Sequence, residues 1–247
     1  MSNILIIKLG SLGDLIQANG AIKDIKSNFP NDKVLLLTSE SYTLFMSSCP
    51  YIDGVITDKR LPRWNIFYLS KDPHTAAKQH VDKHVVKMIV EYGQLLSTAH
   101  RMNDGIKTEA RSKTGRKTWR YIMEDERRQN TLYQAVHYHH PSAVWCRETK
   151  EQYKWLYNLF RYLGHEYTHR YGKVHSTNVK LNQILEQAPN NIGTGWREPP
   201  PAMSHYPQCI VPGDSIKSYH NYYIEAKAYF AKWTKRDAPE WFVRGVA

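Results

Sequence analysis

The pattern of apolar and polar positions changes character near residue 64. From Asn3 to Leu9 the chain is an almost unbroken aliphatic run that stops at Gly10, the pattern of a parallel strand buried on both faces. Gly10 to Asp14 then reads as a tight turn, and Leu15 to Phe29 carries Ile16, Ala18, Ala21, Ile22 and Ile25 at helical spacing. Pro30-Asn31-Asp32 ends that helix. Val34–Leu37 predicts a second buried strand, Tyr42–Met46 a short helix and Val55–Thr57 a weaker strand. Strand, helix and strand with short links predict a crossover onto a parallel sheet, so residues 1–64 read as an α/β, Rossmann-like βαβ segment.

Beyond Pro62 the pattern turns helical. Ile66–Leu69 is one more strand-like run, and Asp72-Pro73 opens a helix. Ala77, Val81, Val85, Met88, Ile89, Leu95, Leu96 and Ala99 predict a single helix from His74 to Arg101. Residues 103–130 hold many charges and few aliphatics, and read as an exposed loop with one short helix. Tyr153, Leu156, Tyr157, Phe160 and Leu163 predict a helix over Glu148–Tyr171. Residues 189–213 read as irregular, and a last helix covers Ser215–Trp233. Residues 65–247 therefore form a mainly α-helical domain.

Charge sharpens this division. The chain of 247 residues carries 34 Lys and Arg against 23 Asp and Glu, a net +11. Residues 1–65 hold seven basic and six acidic residues, which leaves +10 for the remainder. Such an excess draws polyanions, so DNA is the expected partner. Three cysteines in no CxxC pattern suit a reducing compartment, and no apolar run approaches the ~20 residues that span a bilayer. The expectation is a cytoplasmic protein with no membrane partner, placed in the host cytoplasm if phage-encoded.

Lys8-Leu9-Gly10-Ser11-Leu12-Gly13-Asp14-Leu15, with its flanking strand and the later Pro50-Tyr51-Ile52-Asp53, resembles the opening of the family 9 glycosyltransferases, the heptosyltransferases. The resemblance implies a phosphate-facing loop at Gly10, Ser11 and Gly13, Asp14 as general base, and a nucleotide sugar as cofactor. Asp14 as a plain helix cap is the other reading. The resemblance covers about 60 residues, where that family has two complete Rossmann domains.

On the first long helix His80, His84, Lys87 and Glu91 recur at spacings of four, three and four, which places them on one face, either solvated or an active site. Lys83, His140, Trp145, Arg147, Arg170, Lys173, His175, Lys232, Trp233 and Arg236 belong to a texture of cations among aromatics that suits a nucleic-acid groove. Asp72-Pro73, the helix from His84 to Glu91, and His140-Pro141 followed by Trp145 look like phage and bacterial proteins similar to pyrimidine-dimer DNA glycosylases of the endonuclease V type. That resemblance implies base flipping, Glu91 as acid/base with His84 beside it, and Lys87 and Arg170 near phosphate. The family's nucleophile is the amine of the mature N-terminus. Here 64 residues precede Asn65, and Lys83 or Lys87 are the amines that could replace it.

A rival motif lies at His165-Glu166-Tyr167-Thr168-His169-Arg170-Tyr171-Gly172-Lys173-Val174-His175, which matches HExxHxxGxxH. It would give zinc ligands His165, His169 and His175, Glu166 to activate water, and Met203 downstream. The leading expectation is a DNA-acting protein that recognises or processes a nucleobase without a cofactor. The alternatives are a glycosyltransferase relative, a zinc protease and a non-catalytic nucleic-acid-binding module.

Overall fold

The structure, a computed structural model, describes all residues except 1, 8–11, 40–44, 59–64, 112–114, 116, 204–205 and 247, and at 12–14, 39, 57 and 58 it describes the backbone alone. It is mixed α/β, and the chain divides into two compact units, Met1–Arg63 and Trp64–Ala247.

The first unit is a parallel sheet of β1 (Asn3–Ile7), β2 (Lys33–Ser39) and β3 (Gly54–Asp58) in the order β1-β2-β3, with α1 (Leu12–Asn28) between the first two strands. Ile4 pairs with Val34 and Ile6 with Leu36. Leu15, Ile22, Leu36 and Met46 form the core. The strands are covered on one face, whereas the run from Asn3 to Leu9 predicts burial on both. Among the described residues the helical cover, α1 and the helical turn at 45–47, packs on one side of the sheet, so Leu5 and Ile7 are 51% and 60% exposed. Asp53 accepts the Val34 N–H at 2.7 Å and pairs with Lys26 at 2.8 Å, and the lysine's hydrogen bond holds its carboxyl below the ordinary value.

The second unit contains α2 (Pro73–Gln79), α3 (Asp82–Asp104), a ribbon of β4 (Ile106–Arg111) and β5 (Lys117–Ile122), α4 (Glu126–Thr131), α5 (Pro141–Glu148), α6 (Lys150–Tyr171), α7 (Ser176–Leu185), α8 (Ser215–Lys227) and α9 (Glu240–Val246). Helix α3 packs on α5, α6 and α7, and α2 packs on α6. Gly93 and Gly164 admit α7, since a Cβ at Gly93 would stand 2.9 Å from Leu181 and one at Gly164 2.6 Å from Asn178. Asp72 caps α2 by accepting the Thr75 N–H at 2.8 Å, and Gly172, at φ 68°, ends α6 in the left-handed region. No described helix is long and apolar enough to cross a membrane.

Four expectations from the sequence change here. Ile66–Leu69 is buried extended chain without a sheet partner among the described residues. The helix expected over His74–Arg101 breaks at His80–Val81. The break persists because the carbonyls it frees are taken up: Arg170 donates to Lys78 O and His80 O, each at 2.9 Å, and the Trp233 indole donates to Gln79 O at 2.9 Å. Residues 103–130 are the β4–β5 ribbon plus α4 rather than an exposed loop. The last long helix stops at Lys227, short of Trp233. Helices α5, α7 and α9 are additional, each too short for periodicity to reveal it.

Candidate active site

The polar stripe of the first long helix separates into an inner and an outer half. His80 and His84 are inside, at 0% and 7% exposure. His80 Nδ1 lies 2.7 Å from Ala76 O, so this nitrogen donates and Nε2 is left to accept from the Tyr92 hydroxyl at 3.4 Å. The same hydroxyl accepts the Phe67 N–H at 3.0 Å, which fastens the segment 65–69 to α3. His84 stacks on Phe67 at 4.3 Å and shares a 2.6 Å hydrogen bond with the Tyr223 hydroxyl. Burial holds His80 down to about 4 and His84 well below its ordinary value. Both are therefore neutral packing groups, and neither faces solvent in line with Lys87 and Glu91 as the spacing suggests.

The outer half is chemically different. Lys87 is exposed and pairs with Glu91 at 3.0 Å, while the Glu91 side chain is 16% exposed. Its second oxygen, Oε2, is buried without a hydrogen-bond partner, as is Oδ1 of Asn65. Burial pushes the Glu91 carboxyl above the ordinary glutamate range, and Lys87 draws it back in part. Lys83 sits over the Phe230 ring at 4.7 Å, Lys227 over Tyr222 at 4.7 Å, and Lys227 and Lys87 both act on His84. Lys227 and Lys87 thus act on His84 from the outer side, and Lys87 links this end to the Glu91 carboxyl, which burial raises above its ordinary range. This arrangement can donate a proton and attract an anion.

Several residues assigned to a nucleic-acid groove are structural instead. Trp145 is fully buried, its indole donating to Arg197 O at 2.9 Å. Arg170 is buried in a network with Glu166 (3.2 Å) and Asp82 (2.9 Å), and Arg236 closes it on Glu166 at 2.7 Å. Burial raises the Glu166 carboxyl, but the two guanidiniums outweigh it and hold it below the ordinary value. Trp233 serves the α2 end described above. His140 and His175 cap α5 and α7, accepting the Ser142 and Thr177 N–H groups at 3.2 Å, and burial lowers the pKa of both. Lys83, Lys173 and Lys232 are exposed, and half-buried Arg147 keeps a buried Nη1 without a partner.

The zinc motif does not assemble. Among the described residues no three His, Cys, Asp or Glu side chains are grouped to hold a metal ion. His169 Nε2 bonds Lys235 O at 3.2 Å, both Glu166 oxygens are taken by arginines, and Met203 belongs to the core. Gly10 and Ser11 lie outside the described residues, as does the side chain of Asp14. Gly13 and Asp14 belong to the first turn of α1, whereas the sequence predicts a tight turn that runs on to Asp14.

No protein-family model matches the chain, and no curated protein or solved structure does either. The β4–β5 ribbon is a candidate surface that the density of charge conceals in the sequence. Lys107, Arg111 and Lys117 share one of its faces with Trp119, and Lys107 and Lys117 stand over the Trp119 ring at 4.6 and 5.3 Å. The alternation in Lys117-Thr118-Trp119-Arg120-Tyr121-Ile122 after Gly115 is a strand signal that could have found it. Its base is fixed by Arg101, a buried guanidinium that donates to Tyr121 O at 2.8 Å and to Leu132 O and Gln129 O, each at 2.9 Å.

Proposed function

We propose that residues 65–247 bind nucleic acid and recognise or process a base within it. The observation that carries this reading is the exposed ribbon, where Lys107, Arg111 and Lys117 share a face with Trp119 and Glu109 alone opposes them, in a unit with a large excess of positive charge. A two-stranded ribbon fits the DNA major groove, and cations on one face meet phosphates. Chemistry falls to Glu91: a carboxyl that burial raises above the ordinary glutamate range, with one oxygen free of hydrogen bonds, is suited to pass a proton to a leaving or reacting base, and Lys87 steadies the anion left behind. His84, on the same helix, holds Phe67 by stacking and Tyr223 by a hydrogen bond.

Titration of a labelled duplex across a salt series tests the binding. Replacing Lys107 and Arg111 by alanine is expected to weaken binding at least about ten-fold and to reduce the salt slope by about two, one per lost phosphate contact. Unchanged affinity and slope would refute the reading. Glu91→Gln is expected to lower release of a base, measured as alkali-labile strand breaks, by a factor of about a hundred or more while binding is retained.

We read the first unit as the opening half of a Rossmann-like sheet, because three parallel strands in chain order with α1 after β1 match that half. A nucleotide sugar that raises the melting temperature of the full chain would favour a sugar-transfer role using Asp14.

A further inference from the structure

An open cleft of about 360 Å³ is lined by Tyr68, Lys71, Trp155, Trp196 and Glu198. Its walls are three rings from three parts of the chain: Tyr68 in the extended segment 66–69, Trp155 on α6, and Trp196 in the irregular stretch before α8. Their centroids are 4.9 to 6.4 Å apart and their planes are inclined by 47° to 63°. Each wall is held from behind. The Trp155 indole donates to Lys71 O at 2.7 Å, Trp145 meets both other tryptophans edge-on and ties down Arg197 O, and Glu198 accepts the Ser215 N–H at 3.0 Å. Trp196 is nonetheless 46% exposed, an aromatic surface left open on a supported wall.

The polar groups at the rim narrow the ligand. Burial and the nearby Glu198 push the Tyr68 hydroxyl up to about 12, so it remains a donor at neutral pH. Lys71 adds a cationic donor and Glu198 an anionic acceptor. A cation alone would be repelled by Lys71, and an aliphatic chain would use neither polar group. A flat heterocycle with donors and acceptors on its edge uses the ring faces and both charges. We propose that this cleft takes one unstacked nucleobase of a nucleic-acid strand. This deepens the nucleic-acid reading above and rests on it.

The test compares a single-stranded deoxyoligonucleotide with an abasic oligomer of the same length on the full chain. Both present the same phosphates, so the difference isolates base stacking from charge. The wild type is expected to prefer the base-bearing oligomer by about ten-fold or more. Trp196→Ala should erase that preference with the salt slope unchanged, Trp196→Phe should restore part of it, and Glu198→Gln should change which base is preferred. The Lys107 and Arg111 variant should weaken both oligomers equally and keep the preference, so loss of ribbon binding and loss of the cleft are separable. A wild type without preference, or a Trp196→Ala protein that keeps it, overturns the proposal. So does a free deoxynucleoside that displaces the oligomer at equal concentration, since the ligand would then be a free nucleoside.

Discussion

In the first unit Leu15 and Ile22 of α1 pack with Leu36 and Met46 on one side of the sheet, and among the described residues Thr38 is its buried polar side chain. The second unit buries a far larger apolar cluster and, inside it, Arg101, Arg170, Glu166, His80, His84 and His100. The contrast shows two ways of ending secondary structure. Parallel strands satisfy their backbone groups on each other, so the small unit needs few buried charges. The helical unit has many helix ends and an interrupted helix, and guanidiniums and imidazoles take up the carbonyls left over. The same groups that hold it together make it sensitive to pH, where the first unit, with no histidine in residues 1–63, has none to titrate.

Acid should therefore separate the two units, and this is the largest effect expected. Burial holds His80 down to about 4; burial and Arg128 hold His100 down to about 3; burial holds His84 well below its ordinary value. The unfolded chain takes up these protons from about pH 6.5 downward while the folded chain refuses them. The stabilisation is thus complete above that pH and is lost as pH falls toward 4. Three such groups give a slope of up to about 4 kcal/mol per pH unit. Urea midpoints at pH 7, 6 and 5 check this, with His100→Gln expected to remove about a third of the slope. A midpoint that does not move between pH 7 and 5 would show that these histidines are not buried neutral.

Arg170→Leu comes next. It strands Glu166 and Asp82 and leaves Lys78 O and His80 O without their donor, at a cost of about 3–5 kcal/mol by chemical denaturation. Arg236→Ala removes a partner that is 31% exposed and should cost about 1 kcal/mol or less. Combining Arg170→Leu with Glu166→Leu should recover part of the loss, because the stranded carboxylate goes with its partner. If Arg170→Leu is nearly neutral, the guanidinium does not hold the break between α2 and α3.

Much of this frame was legible in the sequence. The helix over Glu148–Tyr171 is observed as Lys150–Tyr171, because five apolar residues on one face outweigh every local alternative. Residues whose role depends on distant partners were not legible. Arg170 and Trp233 look like groove residues, yet their targets are carbonyls about ninety and one hundred and fifty positions away. His80 and Glu91 share a face only if the helix continues, and it breaks at His80 for reasons supplied by Arg170. The ribbon was lost because its alternation is written in Lys, Thr and Arg rather than in aliphatics. The cleft was lost because Tyr68, Trp155 and Trp196 meet only after folding.

The smallest effect tests the thin unit itself. Leu36 and Leu5 lie on adjacent strands but on opposite faces of the first sheet, since Leu5 pairs with Leu35 and Ile6 with Leu36, and their runs read the same in sequence, yet Leu36 is fully buried and Leu5 is 51% exposed. Leu36→Ala should cost about 2–4 kcal/mol by loss of burial and the cavity left behind. Leu5→Ala should cost about 0.5 kcal/mol, as an exposed substitution does. Amide exchange along β1, β2 and β3 of the full chain reads both, because opening of this sheet need not involve α3 or α6. A large gap between the two variants supports a sheet packed on one side. Equal losses would mean that the Leu5 and Ile7 side is covered in solution, and the contrast between a one-sided unit and a fully enclosed one would fail.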